Sequence, residues 1–119
     1  MRISALVLFL IALPAGAQSD CITYSAAPIV VPSVGKLSVR GTPTTKSEVI
    51  ASVMRGHNLL VVQKCGDWLE VESDQRVGDK VRSFTGWVHF PLTCTPKWRV
   101  RGNQYQNTGP LIANECPFE

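Results

Sequence analysis

The chain carries little charge and no marked excess of either sign. Twelve lysines and arginines stand against nine acids, a formal balance of +3, and 18% of residues are charged. A polyanion-binding surface needs a basic excess, so a dedicated DNA or RNA binder is not expected. There are no heptads to suggest a coiled coil, and the nine glycines and eight prolines follow neither a collagen-like repeat nor the profile of a disordered acidic tail. The H-E-x-x-H metalloprotease pattern, a Gly-rich phosphate loop and paired C-x-x-C spacing are all missing. What is present is a 119-residue chain, 45% hydrophobic. That length suits one small globular domain.

The one apolar run lies at the start. Arg2 supplies a positive charge, Ile3 to Leu13 is apolar or small throughout, Pro14 breaks the run, and Ala15-Gly16-Ala17 offers the small residues a signal peptidase reads. Residues 1–17 are therefore expected to be a signal peptide cleaved after Ala17. The run is too short to span a membrane, which takes about 20 residues. Lipidation at Cys21 is the competing reading, but Ser19-Asp20 stands where a small residue normally precedes a lipid-modified cysteine. The mature protein is expected in the periplasm or outside the cell, without a membrane span.

Export places Cys21, Cys65, Cys94 and Cys116 in an oxidising compartment, where an even number of cysteines reads as two disulfides with three possible connectivities. Position along the chain favours Cys21–Cys116, joining the mature ends, and Cys65–Cys94, joining strand ends. A domain this small gains from such crosslinks, because it hides only about 60 to 70% of its unfolded surface.

From Lys36 to Thr93 short β-prone runs alternate with turn residues, which predicts an all-β fold. Leu37 to Arg40 alternates apolar and polar before Gly41-Thr42-Pro43. Ser47 to Met54 carries β-branched Val49, Ile50 and Val53 and reads as an extended arm. His57 to Lys64 is a strand, Cys65-Gly66-Asp67 a tight turn, and Trp68 to Glu72 the next strand. Ser73 to Ser83 reads as a polar hairpin loop, and Thr85 to Phe90 as the last strand.

Strand parity then sorts two faces. If Glu70 and Glu72 stay solvated, Leu69 and Val71 face inward and Trp68 faces out. Val88 and Phe90 are their natural core partners, which sends Trp87 and His89 outward. Two indoles and an imidazole thus share the outer side, where aromatic rings give stacking area at little rotamer cost. The alternative for Trp87 is a ring covered by the loop after Arg40 or by the tails.

These residues resemble a known family. Leu37-Ser38-Val39-Arg40-Gly41-Thr42-Pro43-Thr44-Thr45, Glu48-Val49-Ile50, Gly56, Gly66-Asp67-Trp68-Leu69-Glu70-Val71 and Gly86-Trp87-Val88 are similar, in order and spacing, to the L-N-V-R-S-G-P-S-T, K-V-I, K-G, G-W-x-K-V and G-W-V pieces of the bacterial SH3 (SH3b) domain. Ser38 replaces the family's Asn, Gly41-Thr42-Pro43 replaces Ser-Gly-Pro, and the Ser73–Ser83 segment is longer and more charged. The resemblance implies a small five-stranded SH3-like barrel over residues 36–93, with an N-terminal extension at 18–35 and a C-terminal extension at 94–119 wrapped around it. It also implies binding of a cell-wall peptide or a protein partner rather than catalysis. Trp68, Trp87 and His89 would form one wall of the groove and the Arg40–Lys46 loop, with Thr42 and Thr44, the other; Asp67 borders Trp68. His89 stands where the eukaryotic domains carry a proline, which argues against polyproline recognition.

In the tail, Lys97-Trp98-Arg99-Val100-Arg101 would, if extended, line three cations on one side, where they could hold a phosphate or carboxylate; a solvated basic edge is the competing reading. A nucleophile would have to come from Cys65 or Cys94 beside His57 or His89, and a metal site from the same four residues would need free thiols. Crosslinked cysteines can serve neither purpose, so no catalytic activity, metal or cofactor is expected. Two functions remain: an exported SH3b-type binding module, or a structural or inhibitory subunit docking on another exported protein through its tails and the Ser73–Ser83 segment.

Overall fold

The computed structural model describes residues 20–101 and 111–118; the predicted signal peptide, residues 1–17, lies outside the described residues. Eight strands follow in order: β1 (Cys21–Thr23), β2 (Ile29–Pro32), β3 (Lys36–Arg40), β4 (Val49–Met54), β5 (Leu59–Cys65), β6 (Trp68–Val77), β7 (Lys80–His89) and, after a 3-10 turn at Phe90–Leu92, β8 (Thr93–Cys94). A short helix, α1 (Lys97–Arg101), closes the series. The strands form one curled antiparallel sheet in the order β4-β3-β7-β6-β5-β2-β8, with β1 on the same edge of β5 as β2. The extended arm expected at Ser47 to Met54 is β4. Among the described residues no helix is long and apolar enough to cross a membrane.

The concave side of the sheet holds the main core: Val30, Leu37, Val39, Val53, Leu59, Val61, Leu69, Val71 and Val88. They come from six strands, and each contributes about 1.5 to 3 kcal/mol by leaving water. Alternation accounts for the choice: β3 buries Leu37 and Val39 while Lys36 and Arg40 stay outside, and β6 buries Leu69 and Val71 between Trp68, Glu70 and Glu72. Phe90 lies half-buried against this core from the 3-10 turn, not within a strand. Val31, next along β2 from core residue Val30, joins Cys94, Cys116 and Phe118 in a second cluster.

Two elements differ from expectation. Ser73 to Ser83 is not a loop: β6 and β7 continue pairing from Ser73↔Phe84 to Val77↔Lys80, leaving a two-residue turn at Gly78-Asp79. Gly78 takes φ +68°, which costs glycine nothing and suits a two-residue hairpin turn. The segment reads as a loop because its residues are mostly polar and its two valines, Val77 and Val81, are both exposed, so no burial alternation marks it. Lys97–Arg101 is helical and not extended, so the alternation expected to line its cations on one side of a strand does not arise.

The disulfides also correct the expectation. Cys21 pairs with Cys65 and Cys94 with Cys116, in place of Cys21–Cys116 and Cys65–Cys94. The reason is strand register: β1 runs antiparallel to β5 with Cys21 directly opposite Cys65. The C-terminal segment returns to Thr95, whose N–H donates to the Asn114 carbonyl (2.7 Å) and whose hydroxyl donates to the Ala113 carbonyl (2.6 Å). That return places Cys116 beside Cys94. Two disulfides in so small a chain belong to an oxidising, non-cytoplasmic compartment.

Candidate functional site

The central hairpin β6–β7 sets the outer face. Trp68 lies opposite His89, Glu70 opposite Trp87, Glu72 opposite Thr85 and Asp74 opposite Ser83. Because cross-strand partners point to the same side, Trp68, His89, Trp87 and Glu70 form one contiguous patch. The Trp68 and His89 rings meet with centroids 5.1 Å apart and planes tilted by 52°. Trp68, Trp87 and His89 are all half-buried, each seated on the sheet but not sealed beneath it.

A bulge in β5 extends the patch sideways. Val61 pairs with Val71 and is buried, but the register shifts after it, so that Gln63 comes opposite Glu70 and Cys65 opposite Trp68. Without the shift Gln63 would share the inward side of Leu59 and Val61. Outside, its Nε2 donates to Glu70 Oε1 at 2.8 Å. On the other flank Arg40 of β3 lies opposite Trp87. One row across four strands therefore reads Gln63, Glu70, Trp87, Arg40, and the adjoining row reads Cys65, Trp68, His89. Sequence parity found the indoles and the imidazole; it treated Glu70 only as a solvated residue and missed Gln63, because the bulge leaves no mark in the hydrophobic pattern.

The other expected residues are placed as follows. Arg40 Nη1 donates to the Ser47 carbonyl (2.9 Å), and the Thr42 N–H donates to Ser47 Oγ (2.9 Å), closing the base of the β3–β4 loop. Thr42 and Thr44 sit on that loop, both exposed. Asp67 occupies the exposed turn before Trp68, where its carbonyl accepts the Phe90 N–H at 2.7 Å. Lys97 is half-buried and Arg99 buried, and burial lowers the Arg99 guanidinium below its ordinary pKa. A buried Arg99 is not part of an exposed cationic strip, and Lys97, Arg99 and Arg101 are no longer joined by strand geometry.

His57 precedes β5, and its Nε2 lies 3.0 Å from Ser73 Oγ, whose hydroxyl donates to the Asn58 carbonyl at 2.6 Å. With the serine proton committed to that carbonyl, the imidazole is the donor to Oγ. This is the reverse of what a base activating a nucleophile requires. The cysteines are all crosslinked. Among the described residues no three histidine, cysteine, aspartate or glutamate side chains gather to hold a metal.

No family model, curated protein or solved structure matches the chain. Beside the aromatic patch the outer face continues as an open groove of about 370 Å³, lined by Leu60, Glu72, Ser73, Asp74, Ser83, Phe84 and Thr85. Leu60 lies opposite Glu72, and Glu72 opposite Thr85, so these three continue the outer face by one row, while Ser73 and Phe84, opposite each other, reach the groove from the other side, where Phe84 packs against the main core.

Proposed function

We propose that the protein is an exported, non-catalytic binding module of the SH3b type, acting in the periplasm or outside the cell, that recognises a cell-wall peptide through the aromatic face of the β6–β7 hairpin. The observation that carries this reading is the half-buried Trp68–His89–Trp87 patch, with flat rings that are fixed by the sheet yet still open to solvent. Such rings present large contact area with few rotamers to freeze. Support for the barrel comes from residues 36–93, which supply β3 to β7, five contiguous neighbours in the sheet. The disulfides accord with export. The tail 111–118 is anchored at Thr95 and Cys94 by its own hydrogen bonds and disulfide.

Co-sedimentation with purified sacculi tests the reading. Wild-type protein is expected in the pellet and a W68A/W87A variant in the supernatant, with both giving the same folded spectrum. Equal partition of the two proteins would refute it. Stoichiometric capture of one exported protein, with no retention on sacculi, would favour a docking subunit instead.

A further inference from the structure

The charges on this face indicate what kind of peptide it takes. Along the outer side of β6 come Trp68, Glu70, Glu72 and Asp74 in succession, three carboxylates leading away from an indole. Their cross-strand neighbours bring no positive charge: Gln63 and Trp87 flank Glu70, Leu60 and Thr85 flank Glu72, and Ser83 faces Asp74. Gln63 Nε2 holds one oxygen of Glu70 (2.8 Å), and Ser83 Oγ donates to one oxygen of Asp74 (2.8 Å). Both carboxylates are thereby oriented while keeping further acceptor sites open. On the outer side of these ladders the nearest cations among the described residues are Arg40, on the far side of Trp87 and turned to the Ser47 carbonyl, and Arg76, two positions past Asp74. Lys64 and Arg82, one pair away from Glu70 and Asp74, fall on the opposite side by alternation, with Lys64 turned to the Gly66 carbonyl and the Phe90 ring.

A row of carboxylates beside two indoles makes the local potential negative and so attracts a cation, and the ring faces add their own attraction for it. An aliphatic stem ending in an ammonium matches both parts, with methylenes against the indole and the head group at the carboxylate. Resting on the reading of this face as a binding site, we infer that its ligand is a peptide bearing primary ammonium side chains, laid along β6 with one ammonium at Glu70 between Trp68 and Trp87 and the next toward Glu72 and Asp74.

The test uses the full disulfide-bonded protein, labelled with ¹⁵N and titrated with acetyl-Gly-Lys-Gly-Lys-Gly-amide and with its norleucine counterpart. The lysine peptide is expected to shift the indole N–H signals of Trp68 and Trp87, more weakly as salt is added. Glu70→Gln and Glu72→Gln should each weaken it about two- to five-fold. Equal shifts with the norleucine peptide, or unchanged affinity in both variants, would overturn the assignment of an ammonium ligand. Shifts with solubilised cell-wall fragments but with neither peptide would overturn it too, while leaving the binding face standing. If no probe moves either indole, the binding face itself falls, and the ligand assignment with it.

Discussion

A methyl group on Gly86 would lie 2.6 Å from Val39 Cγ1, 2.9 Å from the Arg40 carbonyl oxygen and 2.9 Å from Ile50 Cδ1. Two of these neighbours are side-chain tips, but the carbonyl belongs to β3 at the point where it crosses β7, and it cannot retreat without disturbing the Arg40–Trp87 pairing. Gly86→Ala is accordingly expected to cost about 1 to 3 kcal/mol in urea unfolding. A variant as stable as wild type would mean that β3 does not approach so closely. Trp68 and Leu69 offer a second comparison, since they are adjacent in sequence and lie on opposite faces. Leu69→Ala should lose about 2 to 5 kcal/mol because the side chain is fully buried in the main core. Trp68→Ala should lose less stability and should abolish binding; the reverse order would place the indole in the core. At this scale the sequence was readable wherever burial alternates. Leu69, Val71 and Val88 fell on the inner side and Trp68, Trp87 and His89 on the outer side by parity alone. Glu70 and Gln63 were not recognised as a unit, because a hydrogen bond across a bulge has no counterpart in hydrophobic periodicity.

Among the elements, the β6–β7 hairpin shows where pattern reading stops. Its inner half, up to Glu72 and from Thr85, has apolar residues facing a core, and its strands were expected there. Its outer half is held by ladder hydrogen bonds, by the Gly78 turn, and by single side-chain bonds such as Gln75 Nε2 to the Ser52 carbonyl at 2.7 Å. Val77 and Val81 are exposed at its end. A segment with so little buried apolar area opens locally before the sheet does. In native-state hydrogen exchange, the amides of 75–82 should therefore exchange well ahead of those of 69–71 and 86–88. Gly78→Ala, which forces a side chain into a left-handed conformation, should speed exchange in the outer half by the equivalent of about 1 kcal/mol and leave the inner half unchanged. Uniform protection along the hairpin would contradict this division. Lys97–Arg101 departs from expectation for a related reason: five residues of alternating character fit a strand, but the turn into α1, where the Arg99 N–H donates to the Pro96 carbonyl at 3.0 Å, sets helix geometry.

For the molecule as a whole, two flanking segments with little hydrophobic pattern complete the sheet and its second cluster. The disulfides fix them at separate points: Cys21–Cys65 holds β1 along β5, and Cys94–Cys116 holds the returning C-terminal segment over Val31. That two bridges form followed from the count of cysteines and the expected export; which cysteines pair did not, because connectivity is a property of register and chain return. The loops closed span 44 and 22 residues, so loss of the first should cost about 4 kcal/mol and of the second about 3 kcal/mol on chain entropy alone. Cys21 is exposed, whereas Cys94 and Cys116 are buried. Mild reduction followed by alkylation should therefore label Cys21 and Cys65 first. Peptide mapping that recovers a 21–116 linkage would overturn the placement of both termini.

The most direct test of the account follows the three indole N–H signals while soluble cell-wall peptide fragments are added to the labelled protein. Trp68 and Trp87 lie on the outer face of β6 and β7, whereas Trp98 belongs to the C-terminal helix. Saturable shifts of Trp68 and Trp87 together are expected, with Trp98 unmoved. Shifts confined to Trp98, or none at any indole up to millimolar fragment, would contradict this expectation.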